Sequence, residues 1–511
     1  MQTNVTEYLE RGALQKFKDK TAIIDSEISM TFGELDHDAR IYAKVINERI
    51  NKYNQPIAVF LPKCAQAVVA NLGILYSGNI YTNLDVKSAP QRLKKIIENI
   101  DPILFITNSA LRENLLKLEA AENRIIDLDT VINSTCSVES ESCRQYINNV
   151  LDTDAMCIIN TSGSTGIPKS VVLNHRSTID FIDWVTERFK FTSTDVIGSL
   201  SPFCFDIYTL ELFVSLAKGC TIAIIPEQFA AFPAKMMELL AAKGVTFIFW
   251  VPTIMVNIAN MDLLKNYDLS ELRTIFFAGE VFPTKHLNYW RRSLPQALFV
   301  NLYGPIEITV DCTYFEVTRE FRDDEPIPIG IPCTNTDILI LNEENHLTKP
   351  NEHGELCVRG TSLALGYWNN AEQTAKAFVQ NPLNTRFPEI IYRTGDIAYW
   401  NDRGEIMFVG RKDFQIKHMG YRIELGEIET AVLSLPEIAQ ACVLYNWGKK
   451  AITLFYEIKT PITPVILRQR LTEKISKYML PTVYRQLDSM PRNPNGKIDR
   501  QALTLTLAEH S

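Results

Sequence analysis

Short runs of apolar, mostly β-branched or aromatic residues recur at 57–61, 103–107, 155–160, 221–226, 245–251, 274–278 and 297–302. Few polar positions interrupt them, the pattern of strands buried on both faces, and helical patterns follow several of them. The alternation predicts an α/β core of layered, largely parallel sheets, with ligands bound beyond the carboxyl ends of the strands. From about Thr336 the runs shorten, at 337–341, 355–359 and 405–409, which predicts a small β-unit. Residues 410–417 read as a charged, irregular link, and the domain boundary is expected near Asp413. In the end piece one helix is well marked. Thr463 is its N-cap, Pro464 its first residue, and Leu467, Leu471, Ile475 and Met479 share a face before Pro481 stops it. Residues 131–149 are polar and predict a surface excursion.

Composition adds limits to this picture. At ~150 residues per domain, 511 residues make three to four structural units. With 46% hydrophobic and 22% charged residues, a disordered chain or a fibre is excluded. The formal charge, 52 − 60 = −8, argues against sequence-independent nucleic-acid binding. No apolar stretch approaches the ~20 residues that span a bilayer, so no membrane insertion is expected. The start, MQTNVTEYLERG, lacks the apolar core of a secretory signal. Ten cysteines are scattered without a Cys-x-x-Cys pair, as in a reduced, cytoplasmic protein.

The segment TSGSTGIPKS at 161–170 follows an apolar run. Its glycines, hydroxyls and lysine suit a phosphate, through free backbone N–H groups, hydroxyl donors and a positive charge. A flexible turn accounts for the same composition. A Walker loop is excluded, because Pro168 stands where that pattern needs glycine before the lysine. No Gly-x-Ser-x-Gly elbow surrounds Ser162 or Ser164.

This segment resembles the signature loop of adenylate-forming ligases, the superfamily of acyl-CoA synthetases, luciferases and peptide-synthetase adenylation domains. Further motifs carry the resemblance across the chain in the family's order: NLYGPIE at 301–307, YRTGD at 392–396, GRKDFQIK at 410–417, GYRIELGEIE at 420–429 and NGKIDR at 495–500. The resemblance implies a large N-terminal adenylation core, 1–412, and a small mobile α+β domain, 413–511, swinging about Asp413. It implies ATP contacts from Thr161, Ser162, Gly163, Ser164, Thr165, Gly166, Lys169, Gly279, Glu280, Asn301, Leu302, Tyr303, Gly304, Asp396, Arg411 and Lys497. In that pattern Tyr303 stacks on adenine, Asp396 and Arg411 hold the ribose, and Glu307 ligates Mg²⁺. Lys497, Glu307 and Thr165 are the catalytic residues so implied. One departure is Ile306, which replaces a threonine that donates to the α-phosphate. Thr309 or the loop hydroxyls are the available substitutes.

Lys497 alone reads as a solvated charge. The chemistry gives it a role, since a carboxylate must attack the α-phosphorus of a polyanion and a bridging cation cancels the repulsion. Asp206, in FDIYTLE at 205–211, alone reads as a helix cap. By resemblance it holds the α-ammonium of an amino acid, a group that acyl-CoA and aryl-acid members do not bind. The carried-over pocket walls are Ile207, Leu210, Phe249, Phe276, Ala278, Leu302, Val310 and Asp311, with Lys497 at the carboxylate. Two phenylalanines leave room for a small side chain, so the expected substrate resembles glycine, alanine or serine. A carrier domain is not seen in the sequence, so transfer to the phosphopantetheine of a separate carrier protein is expected. The alternatives are a D-alanine carrier protein ligase, which usually has cysteine where this chain has Ala278, a carboxylic acid:CoA ligase, and a non-catalytic relative that binds nucleotide.

Overall fold

The computed structural model describes residues 2–131, 147–162, 168–412, 415–492 and 498–508. The described residues fall into two compact units. One comprises residues 1–86, 100–159 and 171–412, and the other 87–99, 160–170 and 413–511. Most of the excursion expected at 131–149, residues 132–146, lies outside the described residues.

The first unit holds a nine-stranded sheet whose centre is parallel. Leu298–Tyr303 pairs with Thr274–Phe277, then Phe247–Trp250, Val196–Ser199, Thr221–Ile224 and Thr21–Ile24. Antiparallel strands close both edges. A seven-stranded sheet is built on Ala155–Thr161, Ile80–Asn83, Pro56–Val59 and Leu104–Thr107, again parallel. All seven apolar runs read from the sequence are strands here, shorter or longer by a residue or two at their ends. The burial explains why they were visible: Ile57–Val59, Phe247–Trp250 and Thr274–Phe277 are buried at every position. The five-stranded β-unit is antiparallel, centred on Gly354–Gly360 and Ile390–Trp400.

The second unit contains the hairpin Gln415–His418 with Tyr421–Glu424, and a three-stranded sheet of Ile438–Asn446, Ala451–Ile458 and Val483–Gln486. Two sequence expectations need correction. Residues 410–417 are not an irregular link throughout, because Gly410 and Arg411 end the strand Ile406–Arg411 and Gln415–Lys417 begin the hairpin. The charges misled, since both strands are only partly buried and need no continuous apolar run. The helix after Thr463 is capped as expected, by the Thr463 hydroxyl accepting from the Ile466 N–H at 3.4 Å, but it ends at Leu471. The apolar spacing persists because Leu467, Leu471, Ile475 and Met479 all pack into one core, the last on a separate 3₁₀ turn. Side-chain periodicity reported burial, not continuity of the helix.

Candidate functional site

The walls of the predicted pocket come from strand register. Phe249, Phe276 and Val300 stand side by side across three parallel strands. Alternation then puts Phe247 and Phe249, Phe276 and Ala278, and Val300 and Leu302 on one face of the sheet. The same buried cluster takes in Leu210 and Val310, and Ile207 packs against it. The Phe276 ring lies edge-on to Phe189, Phe247 and Phe249, with centroids 4.6, 4.9 and 5.8 Å away. Each such ring contributes about 1.5–3 kcal/mol by burial.

The turn after Tyr303 delivers the last two wall residues. Thr309 and Val310 have φ of 58° and 65°, left-handed conformations that β-branched residues avoid. Such strain costs about 1–3 kcal/mol per residue and must be held by its surroundings. The Cys312 N–H donates to the Tyr303 carbonyl at 2.8 Å, and the Thr309 hydroxyl to Ser177 Oγ at 2.8 Å. Gly304 is required beneath: a Cβ there would stand 2.5 Å from Asp311 Cα. Asp311 is buried, 2% exposed. Because Thr309 is fully buried and its proton goes to Ser177, it does not supply the hydroxyl missing at Ile306, itself part of the core.

Where the sequence predicts nucleotide contacts, the carboxylates are gripped. The antiparallel pairing of Asp396 with Arg411 sets the Arg411 Nη1 2.8 Å from Asp396 Oδ1. The Tyr303 hydroxyl donates to Asp396 Oδ2. Burial first, and then the Asp396 charge, holds the Tyr303 phenol well above its usual value, so it stays a donor. Glu307 has no exposed surface, and its Oε1 accepts from the Tyr367 hydroxyl at 2.8 Å. The Asn301 amide donates to the Pro328 carbonyl at 2.8 Å, and Glu280 accepts from both the N–H and the hydroxyl of Thr253. Gly279 sits at φ 91° with no neighbour within 3.4 Å of a built Cβ, so conformation and not crowding calls for glycine. Among the described residues no group of three His, Cys, Asp or Glu side chains could hold a metal. A lone Glu307 therefore fits Mg²⁺ only as one oxygen ligand beside phosphate oxygens, which is how that ion is commonly bound.

The second unit holds the ends of the glycine-rich loop. Ser162 Oγ donates to the Arg422 carbonyl at 2.6 Å and accepts from the Glu424 N–H at 3.1 Å. Lys169 Nζ lies 3.1 Å from Glu424 Oε1, which also accepts from Gln415 at 2.6 Å. The Thr161 hydroxyl is buried without a hydrogen-bond partner among the described residues. Such an orphan is costly and fits a loop that awaits a phosphate. Gly163, Ser164, Thr165, Gly166, Asp413 and Lys497 lie outside the described residues.

Asp206 occupies the N-cap position of the helix Ile207–Lys218, half-buried, yet its side chain does not cap that helix. Its carboxylate acts electrostatically on Cys157, raising that buried thiol after the effect of burial itself. The cap reading of Asp206 thus fails. Sequence reasoning missed Tyr367 behind Glu307 and Glu424 behind Lys169. Neither lies near its partner in sequence.

A family profile described as AMP-binding enzyme matches residues 9–368, and one for the AMP-binding enzyme C-terminal domain matches 427–497. The chain is 32% identical over 505 residues to gramicidin S synthase 2 of Brevibacillus brevis, covering 98% of this chain but 11% of that protein. It is 30% identical over 495 residues to zwittermicin A synthase ZmaJ of Bacillus cereus, covering 95% of this chain and 92% of that one. The chain thus spans a small part of one relative and nearly the whole of the other. In fold it resembles the adenylation domain AlmE of Vibrio cholerae, solved in complex with glycyl-adenosine-5'-phosphate, at a TM-score of 0.85 and 22% identity over 100% of this chain and 98% of that one.

Proposed function

From the premise that this chain belongs to the AMP-binding enzyme family, we propose that it activates a small α-amino acid, of glycine, alanine or serine size, for transfer to a carrier-bound thiol. It is an adenylate-forming ligase of the peptide-synthetase adenylation type. In the first step an oxygen of the amino acid's carboxylate bonds to the α-phosphorus of ATP. The bond from that phosphorus to the β-phosphate oxygen breaks, releasing pyrophosphate and leaving a mixed anhydride. Lys497 bridges the attacking carboxylate and the phosphate, offsetting their repulsion. Asp396 and Arg411 hold the ribose, and Tyr303 presents its ring to adenine. Glu307, oriented by Tyr367, would hold Mg²⁺, which neutralises phosphate charge. In the second step the sulfur of a carrier's phosphopantetheine bonds to the carbonyl carbon, AMP leaves, and the thiol proton passes to solvent. The carrier is a free-standing peptidyl or aminoacyl carrier protein, reached after the 413–511 domain turns about Asp413 and withdraws Lys497.

The observation that carries the amino-acid reading is Asp206, a half-buried carboxylate that leaves its own helix uncapped. A carboxylate at that position matches an ammonium. The rings of Phe249 and Phe276 favour a small side chain, and the buried Asp311 favours glycine, alanine or a hydroxyl-bearing side chain over a larger apolar one. The test is ATP–pyrophosphate exchange over all the common amino acids in both stereochemical forms, with acetate and propionate as controls. Fastest exchange with glycine, alanine or serine is the expected result. Exchange driven equally by propionate would replace this reading with a carboxylic acid:CoA ligase.

A further inference from the structure

Residues 200–206 connect the strand Val196–Ser199 to the helix Ile207–Lys218 and deliver Asp206 to its place. A buried ionic chain ties the two ends of this connection together. Glu211, on the helix and fully buried, accepts from the Ser199 hydroxyl at 2.6 Å. The carbonyl of the same Ser199 accepts from Lys63 Nζ at 2.6 Å. Lys63 Nζ also lies 5.5 Å from the ring centroid of Phe203, inside the connection. Asn83 Nδ2 donates to the Phe203 carbonyl at 2.9 Å, and the Phe203 ring stacks on Tyr208 at 4.0 Å.

Taking an acid and a base out of water costs several kcal/mol each, and well-packed apolar groups stabilise a core at least as well. The cost is visible in both groups. Burial pushes the Glu211 carboxyl up to about 7, opposed by the Lys63 charge. Burial pulls the Lys63 ammonium down to about 8, opposed by Glu211 and Glu227. What the ionic chain provides, and an apolar cluster does not, is a fixed geometry, because each hydrogen bond specifies a direction and a length. That geometry is applied to the start of the connection, to its middle and to the helix that Asp206 precedes.

We propose that Glu211, acting through Ser199 and Lys63, is a positioning residue that fixes the segment presenting Asp206 to the ammonium group of the acid substrate. The inference rests on the reading of Asp206 given above. It assigns no contact with substrate to Glu211 itself. Its signature is selective. Loosening the chain weakens capture of the amino acid and leaves ATP capture, which uses Asp396, Arg411 and Tyr303, as it was.

The experiment is pyrophosphate exchange with whichever of glycine, L-alanine, D-alanine or L-serine the panel shows to be activated fastest. Ser199→Ala and Glu211→Ala are expected to raise the KM for the amino acid roughly 10-fold, the effect of one lost buried hydrogen bond, with the KM for ATP within about twofold. Glu211→Gln retains an acceptor for the Ser199 hydroxyl and is expected to stay within about threefold of the parent. Equal rises in both KM values, or a loss confined to melting temperature, would overturn the proposal in favour of plain core packing. Should Glu211→Ala not fold, Ser199→Ala decides alone, because it leaves both charges in place. An unchanged amino-acid KM in that variant overturns the proposal. Asp206→Ala separates the two readings. Silence there contradicts the ammonium role itself, whereas a large Asp206→Ala effect with a silent Ser199→Ala contradicts only the positioning role.

Discussion

The carboxylates proposed to meet the nucleotide and the one proposed to meet the acid substrate, all in the first unit, differ in their setting. At the nucleotide end, Asp396 is clasped by the Tyr303 hydroxyl and the Arg411 guanidinium, and Glu307 by the Tyr367 hydroxyl. At the acid-substrate end, Asp206 forgoes the cap bond that its position offers. On the function proposed above, the difference follows from what each would bind. Ribose hydroxyls are neutral and must be met by acceptors already aimed, so preorganisation does the selecting. An ammonium brings its own charge, which a carboxylate meets with a charge-assisted hydrogen bond. The backbone differs in the same sense. Left-handed φ values fall on Thr309 and Val310, in the turn that carries the proposed wall residues 310 and 311, whereas Asp396 and Arg411 face each other across a strand pair, beside a bulge at Ile397 and Ala398.

Four substitutions sharpen or break this contrast. The largest effect is expected from Lys497→Ala, which removes the cation proposed to bridge carboxylate and phosphate: exchange should fall ~10²–10³-fold with nucleotide affinity little changed, measured by initial rates and by ATP titration. Normal exchange in that variant would remove the transition-state role. Next is Asp206→Ala, expected to lower kcat/KM for the amino acid about 10²-fold, as for loss of one partner of a buried charge pair, while the KM for ATP stays put. A parallel loss for ATP would mean that the two ends are not separate.

The third concerns the support of the acid-substrate end. His175 heads the helix whose Ser177 accepts from Thr309, and its Nδ1 accepts from the Val5 N–H at 3.3 Å. Burial pulls the imidazole down to about 3, against a small upward pull from Asp152. A depressed pKa means that the unfolded chain takes up this proton before the native state does. The stability is therefore complete above about pH 6.5 and is lost as pH falls toward 3, at about 1.4 kcal/mol per unit. Between pH 6.5 and 5 the parent should lose about 2 kcal/mol more than His175→Gln in urea unfolding. Equal slopes would contradict a buried neutral imidazole. The smallest effect is Tyr303→Phe, which keeps the ring and removes the bond to Asp396. The KM for ATP should rise roughly 3- to 10-fold, with the amino-acid KM unchanged.

Much of this was legible in the sequence because the information was local. Strands such as Phe247–Trp250 and Thr274–Phe277 are buried on both faces and announce themselves as unbroken apolar runs. Phe249, Phe276 and Leu302, carried over by resemblance as pocket walls, are brought to one face of the sheet by register. Half-buried strands were not legible, as Gln415–His418 shows, because alternation among charged residues looks like a linker. Nor were the partners that aim the functional groups. Tyr367 lies 60 residues from Glu307, and Glu424 lies 255 residues from Lys169. Pairings at that separation are products of topology, and no periodicity reports them. The helix after Thr463 is the converse case: its apolar spacing was real, and the chain kept the burial while breaking the helix.

The central claim is that Asp206 binds the ammonium of the acid substrate. It is tested most directly by calorimetric affinities of alanyl-sulfamoyl-adenosine and its propionyl counterpart, which lacks only the amino group, for the parent chain and Asp206→Ala. Deleting the amino group is expected to cost the parent roughly 10²-fold in affinity and the variant almost nothing. Equal affinity of the parent for both compounds would contradict it.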